Sequence, residues 1–281
     1  METAKALINS RIDNEIALRA AIIAEIRKAF NRLAELGYAG TIKRDFRMKD
    51  LNQKQLEKIL TDLRLAIYMW ILRYCNEMAE ETHEAYPFAK APYAIGSIGY
   101  LGLPNSEQKS NTSVRSLINT YTNRFKFEVE TWLAIGLSRG LTLSTLKAQF
   151  TLFSNLPFNN PLFNEAKKQK DLTATRIQSG GVSYGVGKYT SAENSLVRLG
   201  RYAVADITRN AQWHEWTADG APLLLGYNVS RGSTYPCSYC DMMCGFHPAG
   251  RAWLPPYHAH CCCIAVPVFS NSERSSILAL L

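Results

Sequence analysis

The sequence has no run of about eighteen or more uncharged apolar residues, as a membrane-spanning helix would require. We therefore expect no membrane-spanning segment. The first ten residues also lack the apolar core and small-residue cleavage site of a secretory signal. These absences predict a soluble protein that is made and kept in a reducing compartment and has no membrane partner.

Residue arrangements that carry catalysis are scarce as well. Between residues 195 and 270 the acidic residues are Asp206, Glu215, Asp219 and Asp241, and no two have the spacing of a paired-carboxylate site. The glycine-rich stretch 180–187 lacks the Lys-Ser/Thr ending of a phosphate-binding loop. We expect that the protein is not an enzyme.

Positive charge is unevenly distributed along the 281 residues, which carry a formal net charge of +8. Residues 1–179 contain 25 Lys and Arg against 18 Asp and Glu, whereas residues 180–281 contain 7 against 6. A basic excess favours polyanions through counterion release. The charge permits a nucleic-acid neighbour, but it is equally typical of an ordinary solvated surface.

Apolar residues recur at helical spacing through most of the chain. The pattern predicts helices over residues 11–36, 50–84, 113–138, 144–153 and 191–216. Gly37 should end the first helix as a C-cap, Asp50 should begin the second, and Thr142 or Ser144 should cap the fourth. The first two helices predict a long hairpin or arm.

After residue 216 the period changes from helical to extended. Residues 223–227 and 264–269 are short apolar runs bounded by Gly, Pro and Ser, as paired strands are. The sequence thus predicts an α+β protein: a mainly helical N-terminal region followed by a small α+β C-terminal module stapled by zinc. The predicted segments are a helical arm (1–86), a linker with central helices (87–189) and the C-terminal module (190–281).

Cysteines are concentrated in this module, where six of the seven lie between residues 237 and 263. Their clustering argues against a disulfide framework and for a metal. Cys237 and Cys240 are separated by two residues, as are His258 and Cys261. Two such chelating pairs can surround one ion tetrahedrally, so we predict a structural zinc held by these four residues, with no open position for catalysis.

Other cysteines and histidines of this region could replace a member of the predicted quartet. They are Cys244, His247, His260, Cys262 and Cys263. Consecutive residues of an extended chain point to opposite faces, so Cys261, Cys262 and Cys263 cannot all bind one ion. A different reading is that the cluster consists of reduced, packed thiols or of disulfides.

The C-terminal pattern resembles the Mu F-like minor head proteins of tailed bacteriophages. Cys237-x-x-Cys240 is followed by a Pro-Pro-Tyr-His-Ala-His-Cys-Cys-Cys run over 255–263 and by Val266-Pro267. The resemblance covers residues 190–269 and extends more loosely over 113–189. It departs from the family at Ala259, where proline is usual, and at Cys262, where arginine is usual.

This resemblance implies a protein of the virion, inside the capsid near the portal, that is made in the host cytoplasm during assembly. It implies a role in head assembly and in DNA packaging or delivery. The expected partners are the portal protein, the major capsid or scaffolding protein, and packaged DNA bound without sequence preference, with self-association left open.

Two other functions stay open from the sequence. One is an enzyme, either a zinc-stapled nuclease or a toxin-like ADP-ribosyltransferase, although the sequence lacks a catalytic acid set and a His-His-Asn constellation. The other is a zinc-dependent DNA-binding protein, which predicts sequence-selective binding.

Overall fold

The computed structural model describes residues 2–39, 46–95, 113–155, 191–232, 236–250, 254–257 and 261–269, and most of these described residues lie in long helices. Helix α1 is Glu2–Ala39, and α2 is Gln53–Ala85 after a short 3-10 turn at Met48–Asp50. Helix α3 is Val114–Ser138, α4 is Leu143–Ala148, α5 is Phe150–Asn155 and α6 is Ala192–Trp216. Each predicted helical region is helical, but α1 begins well before the predicted residue 11, and the single helix predicted over 144–153 is the two helices α4 and α5.

Two of the predicted helix-capping residues also differ from the structure. Gly37 lies inside α1 rather than capping it, and a Cβ atom there would approach Leu133 Cδ1 at 3.2 Å, so the glycine serves close packing. Helix α2 begins after Asn52 instead of Asp50, because the Asn52 side chain accepts the N–H of Gln55 at 3.2 Å. Thr142 caps α4 as predicted, accepting the N–H of Thr145 at 3.2 Å.

The C-terminal part contains a three-stranded antiparallel sheet with the order β2-β1-β3. Strand β1 is Gly226–Ser230, β2 is Gly245–Pro248 and β3 is Ile264–Val268, and a short helix α7, Ser238–Met242, lies between β1 and β2 in the chain. Strands β1 and β3 pair with each other, as expected, but β1 lies at 226–230 and overlaps the predicted run 223–227 by only two residues. Strand β2 was not predicted, since its four residues include Gly and Pro and carry no alternating pattern.

The fold is therefore α+β, mostly helical with a small sheet. Its contacts divide it into two compact units that are each discontinuous in sequence. The sheet unit comprises Met1–Arg19, Ile71–Val114 and Arg198–Leu281, and the helical unit comprises Ala20–Trp70 and Arg115–Val197. The three sequence segments 1–86, 87–189 and 190–281 stay a prediction. In the described part of the chain, no helix is long and apolar enough to cross a membrane.

In the sheet unit, Glu215 near the end of α6 holds the chain that follows α2. Its side chain is 1% exposed, and its carboxylate contacts His83 Nδ1 at 2.8 Å. The same carboxylate accepts the backbone N–H groups of Phe88 at 3.1 Å and Ala89 at 2.8 Å. A buried carboxylate needs such partners, so this contact fixes residues 83–89 against α6.

The helical unit has an aromatic core in which two phenylalanine rings of α5 pack against rings of α1 and α3. Phe150 lies 4.5 Å from Phe30 of α1, and Phe153 stacks on Trp132 of α3 at 4.6 Å between ring centroids. All four side chains are nearly inaccessible to solvent. This packing explains why the short helix α5 is ordered, since six residues alone would not form a stable helix.

A buried carboxyl group lies beside the N-terminus of α6 in the same unit. Glu128 of α3 is 2% exposed, and its Oε1 accepts the N–H of Ala192 at 2.8 Å. Burial raises the pKa of Glu128 well above its ordinary value of 4.5, and the nearby Glu193 carboxylate adds to the shift. The folded protein therefore retains this proton at pH values where the unfolded chain has lost it.

We expect Glu128→Gln to flatten the pH dependence of stability. In the wild type, the raised pKa in the folded state means that stability falls as pH rises above the ordinary value of 4.5. Glutamine keeps the acceptor for Ala192 without carrying a charge, so the variant should be more stable near pH 7 by about 1 kcal/mol or more. Urea unfolding between pH 4 and 8 measures this, with the exposed Glu57→Gln as a control that should leave the curve unchanged. Equal pH dependence in Glu128→Gln and wild type would contradict the assignment.

Candidate metal centre

The register of the sheet brings two cysteine-bearing segments to one end of β1. Val229 pairs with Gly245 at the start of β2, and Ser230 pairs with Ile264 at the start of β3. Residues 237–244 end where β2 begins, and residues 261–263 end where β3 begins. Because β1 is the central strand, the two segments must lie near each other at its C-terminal end.

Helix α7 turns the first segment inward. Cys237 has an extended backbone and lies at the N-cap position of α7, and one turn later Cys240 is 3% exposed. The spacing of three residues places both side chains on the same side of the turn, which is why a Cys-x-x-Cys pair can chelate one ion.

The second segment runs extended into β3, so its side chains alternate. Cys261 and Cys263 are buried, whereas Cys262 between them is half-buried. This confirms that the three consecutive cysteines do not share one site.

Three buried thiols meet as a result. The Sγ atoms of Cys240, Cys261 and Cys263 all lie within 4.8 Å of one another, and those of Cys240 and Cys261 are 4.0 Å apart. Zn–S bonds of about 2.3 Å in a tetrahedron separate two sulfurs by about 3.8 Å. These three thiols form the only group of three or more potential metal ligands among the residues that the structure describes. They could hold a metal ion.

The buried surroundings disfavour the deprotonated, negatively charged form of these thiols unless a cation is present. Burial, followed by the neighbouring Cys261, raises the pKa of Cys240 to about 12. The hydrogen bond with Cys261 and burial raise the pKa of Cys263 far above the ordinary thiol value. Three clustered thiolates would repel each other in a buried place, whereas a divalent ion would favour the deprotonated form of all three.

Arg231, directly after β1, is the charged side chain next to the cluster. Its guanidinium pairs with Asp241 of α7, and its Nη1 donates to the carbonyl of Cys237 at 3.4 Å. The positive charge also acts on the sulfurs of Cys240 and Cys263. Arg231 thus ties the Cys-x-x-Cys turn to the end of β1.

Of the four predicted ligands, the structure brings Cys240 and Cys261 together. Cys237 lies outside the three-thiol group, but it is close enough to Cys240 to raise the pKa of that thiol. His258 lies outside the described residues, as does the alternative ligand His260. The group contains Cys263 instead, which the sequence offered only as an alternative.

The remaining alternatives have other contacts. The Cys244 thiol donates to the carbonyl of Cys240 at 3.2 Å. His247 Nε2 contacts the carbonyl of Met243 at 2.9 Å, and its ring stacks on Tyr227 at 5.6 Å. Both residues therefore buttress the turn around Cys240 rather than join the three thiols.

Sequence reasoning undervalued two residues. Cys263 could have been found from the alternation of an extended chain, since residues 261 and 263 must share a face. Arg231 gave no signal in the sequence, because it lies ten residues from Asp241 and its role depends on the sheet.

Comparison of the chain with models of known protein families, with curated proteins and with solved structures gives no match.

The approach of the two segments depends on Gly232, where a Cβ atom would lie 1.8 Å from the carbonyl oxygen of Cys262. We expect Gly232→Ala to lower the free energy of unfolding by about 1–3 kcal/mol, since backbone atoms would have to move apart. Chemical denaturation measures the loss. Gly250→Ala is a matched control, because the nearest atom to its Cβ would be 3.9 Å away. Equal stability of the Gly232 variant and the control would show that the contact is not required.

Proposed function

We propose that the protein is a minor head protein of a tailed bacteriophage, related to the Mu F-like class, that acts inside the capsid near the portal. The observation that carries this proposal is the arrangement of the C-terminal signature. Its Cys-x-x-Cys turn and its terminal Cys-x-Cys pair supply the three clustered thiols Cys240, Cys261 and Cys263. The histidine run and the proline-containing strand β3 lie in the order that the resemblance requires.

Within this proposal the metal is zinc, held by Cys237, Cys240, Cys261 and Cys263. Thiolates are the ligands that zinc prefers in closed structural sites, and two short chelating pairs are the usual way to supply four of them. We assign Cys237 as the fourth ligand because it lies one helical turn before Cys240 and is close enough to raise the pKa of that thiol. In this assignment His258 of the predicted quartet is not a ligand.

A four-cysteine site supports a structural role. With four protein ligands, the ion has no open position for water or substrate. The sheet has three strands in the part of the chain that the structure describes, so a metal that links α7 to the start of β3 would add stability to a small sheet. The same reasoning disfavours the nuclease and ADP-ribosyltransferase alternatives.

The helices that precede this module suit contacts with other head proteins. Helices α1 and α2 are 38 and 33 residues long, and residues 1–179 carry most of the positive charge. We propose contacts with the portal protein and with the capsid or scaffolding protein, and weak, salt-dependent contact with packaged DNA. Measuring the salt dependence and sequence preference of DNA binding would reveal the alternative, a sequence-selective DNA-binding protein.

We expect about one zinc per chain in the purified protein, measured by elemental analysis. Cys263→Ser and Cys237→Ser should each weaken zinc binding by at least about tenfold in competition with a chelator, because a hydroxyl is a poor zinc ligand. His258→Ala should retain zinc.

Cys244→Ser is the matched control, since a hydroxyl can replace the thiol as donor to the carbonyl of Cys240. Loss of zinc in His258→Ala together with its retention in Cys263→Ser would restore the quartet predicted from the sequence. Absence of any bound metal in protein purified without chelators would reject the zinc site.

For the biological role, we expect the protein in purified virions, in fewer copies than the major capsid protein. It should resist external protease until the capsid is opened, and it should co-purify with the portal protein when the two are co-expressed. Quantitative mass spectrometry of virions and pull-down of the tagged portal protein measure this. Absence from virions, or protease sensitivity in intact ones, would contradict the proposal.

A further inference from the structure

One face of the N-terminal part of α1 carries apolar side chains that are open to solvent. Ile12 is 44% exposed and Ile16 is 62% exposed, although both are large aliphatic residues. Together with Arg19 they follow the i, i+4, i+7 spacing of a single helix face. Isolated exposed apolar residues are common, but a stripe at helical spacing beside a cleft marks a surface that a partner can cover.

A cleft of about 320 Å³ runs along this face within the sheet unit, and its volume equals that of about ten water molecules in the liquid. Its lining includes Ile12, Ile16, Arg11, Arg19, Glu15 and Arg201. We call these six residues the Ile-Arg groove. The groove thus combines exposed apolar side chains with cationic ones.

Charges in the groove are arranged around one carboxylate. Glu15 contacts Arg201 Nε at 2.9 Å and Arg11 Nε at 3.6 Å, so these two arginines are held against the groove wall. Arg19 is exposed, and the structure pairs it with no carboxylate of the described residues. Three arginines and one glutamate leave a net charge of +2 along the groove.

From this combination we propose that the Ile-Arg groove binds an acidic, amphipathic segment of a partner protein. The partner's aliphatic side chains cover Ile12 and Ile16, and its carboxylates pair with Arg19 and the outer face of Arg201. A helix that presents apolar residues at i, i+4 and i+7 matches the spacing of this face.

Two other occupants fit the groove less well. The phosphates of a nucleic acid would pair with Arg19 but would leave the isoleucines exposed. A second copy of this chain, docked through the same face, would bring two sets of arginines together, and like charges across an interface oppose binding. The proposal does not depend on the role of the protein in a virion.

To test this, peptides that bind the full chain are selected from a display library of random sequences. Each peptide has about 16 residues, long enough for roughly four helical turns. We expect the enriched peptides to combine Asp or Glu with Leu, Ile or Phe at spacings of three and four. Their affinities, measured by fluorescence anisotropy with synthetic labelled peptide, should fall about tenfold or more with Ile16→Ser and with Arg19→Glu.

The controls carry the same changes at exposed positions of the helical unit, where Leu65 is 61% exposed. Leu65→Ser and Lys54→Glu should leave peptide affinity unchanged. Both groove substitutions replace exposed side chains, so thermal melting should not differ from wild type; unchanged melting with lost affinity separates binding from folding.

The proposal would be overturned if no peptides were enriched, or if the enriched peptides lacked acidic residues. It would also be overturned if Ile16→Ser and Arg19→Glu left the peptide affinities unchanged. The same holds if 20-base-pair duplex DNA, whose own binding requires Arg19, displaced the peptides. Self-association of the wild type that Ile16→Ser abolishes, measured by sedimentation velocity, would instead assign the groove to a second copy and also reject the proposal.

Discussion

The arrangement of the C-terminal part depends on the burial of three thiols at one point. Cys240 lies on a short helix and Cys261 and Cys263 lie on the approach to β3, and their sulfurs are within 4.8 Å of one another. Three sulfurs bury little surface, so the burial of apolar area gives little reason for such proximity. A divalent cation would favour it, because the cation replaces the mutual repulsion of the thiolates with attraction to a common centre.

Several neighbouring features are organised around that point. Gly232 allows the chain after β1 to reach the carbonyl of Cys262, and Arg231 ties the turn at Cys237 to α7 through Asp241. The thiol of Cys244 supports the Cys240 carbonyl from inside the turn. Each contact fixes the backbone around the thiols, as outer groups do in metal centres whose ligands must be held in one geometry.

Under the proposed function, a structural metal and a long helical region suit a protein that acts in assembly. The groove on α1 and the thiol cluster belong to the same compact unit but offer different chemistry. The groove combines arginines with exposed isoleucines, whereas the cluster is a group of buried sulfurs that could hold a metal ion.

The sequence by itself predicted the helices, the approximate positions of two of the described strands and the segments that carry the clustered thiols, because periodicity and chelate spacing are local properties. It could not show which of these cysteines would meet Cys240, and it did not predict β2. Those outcomes depend on the register of β1 with both neighbours, which places Cys263 beside Cys240 across 23 residues of chain and turns Cys262 away. Likewise, the spacing of Ile12, Ile16 and Arg19 was visible as part of a helix, but only packing decided that this face would stay open. Tertiary structure decided these points because proximity between distant residues has no signature in local sequence.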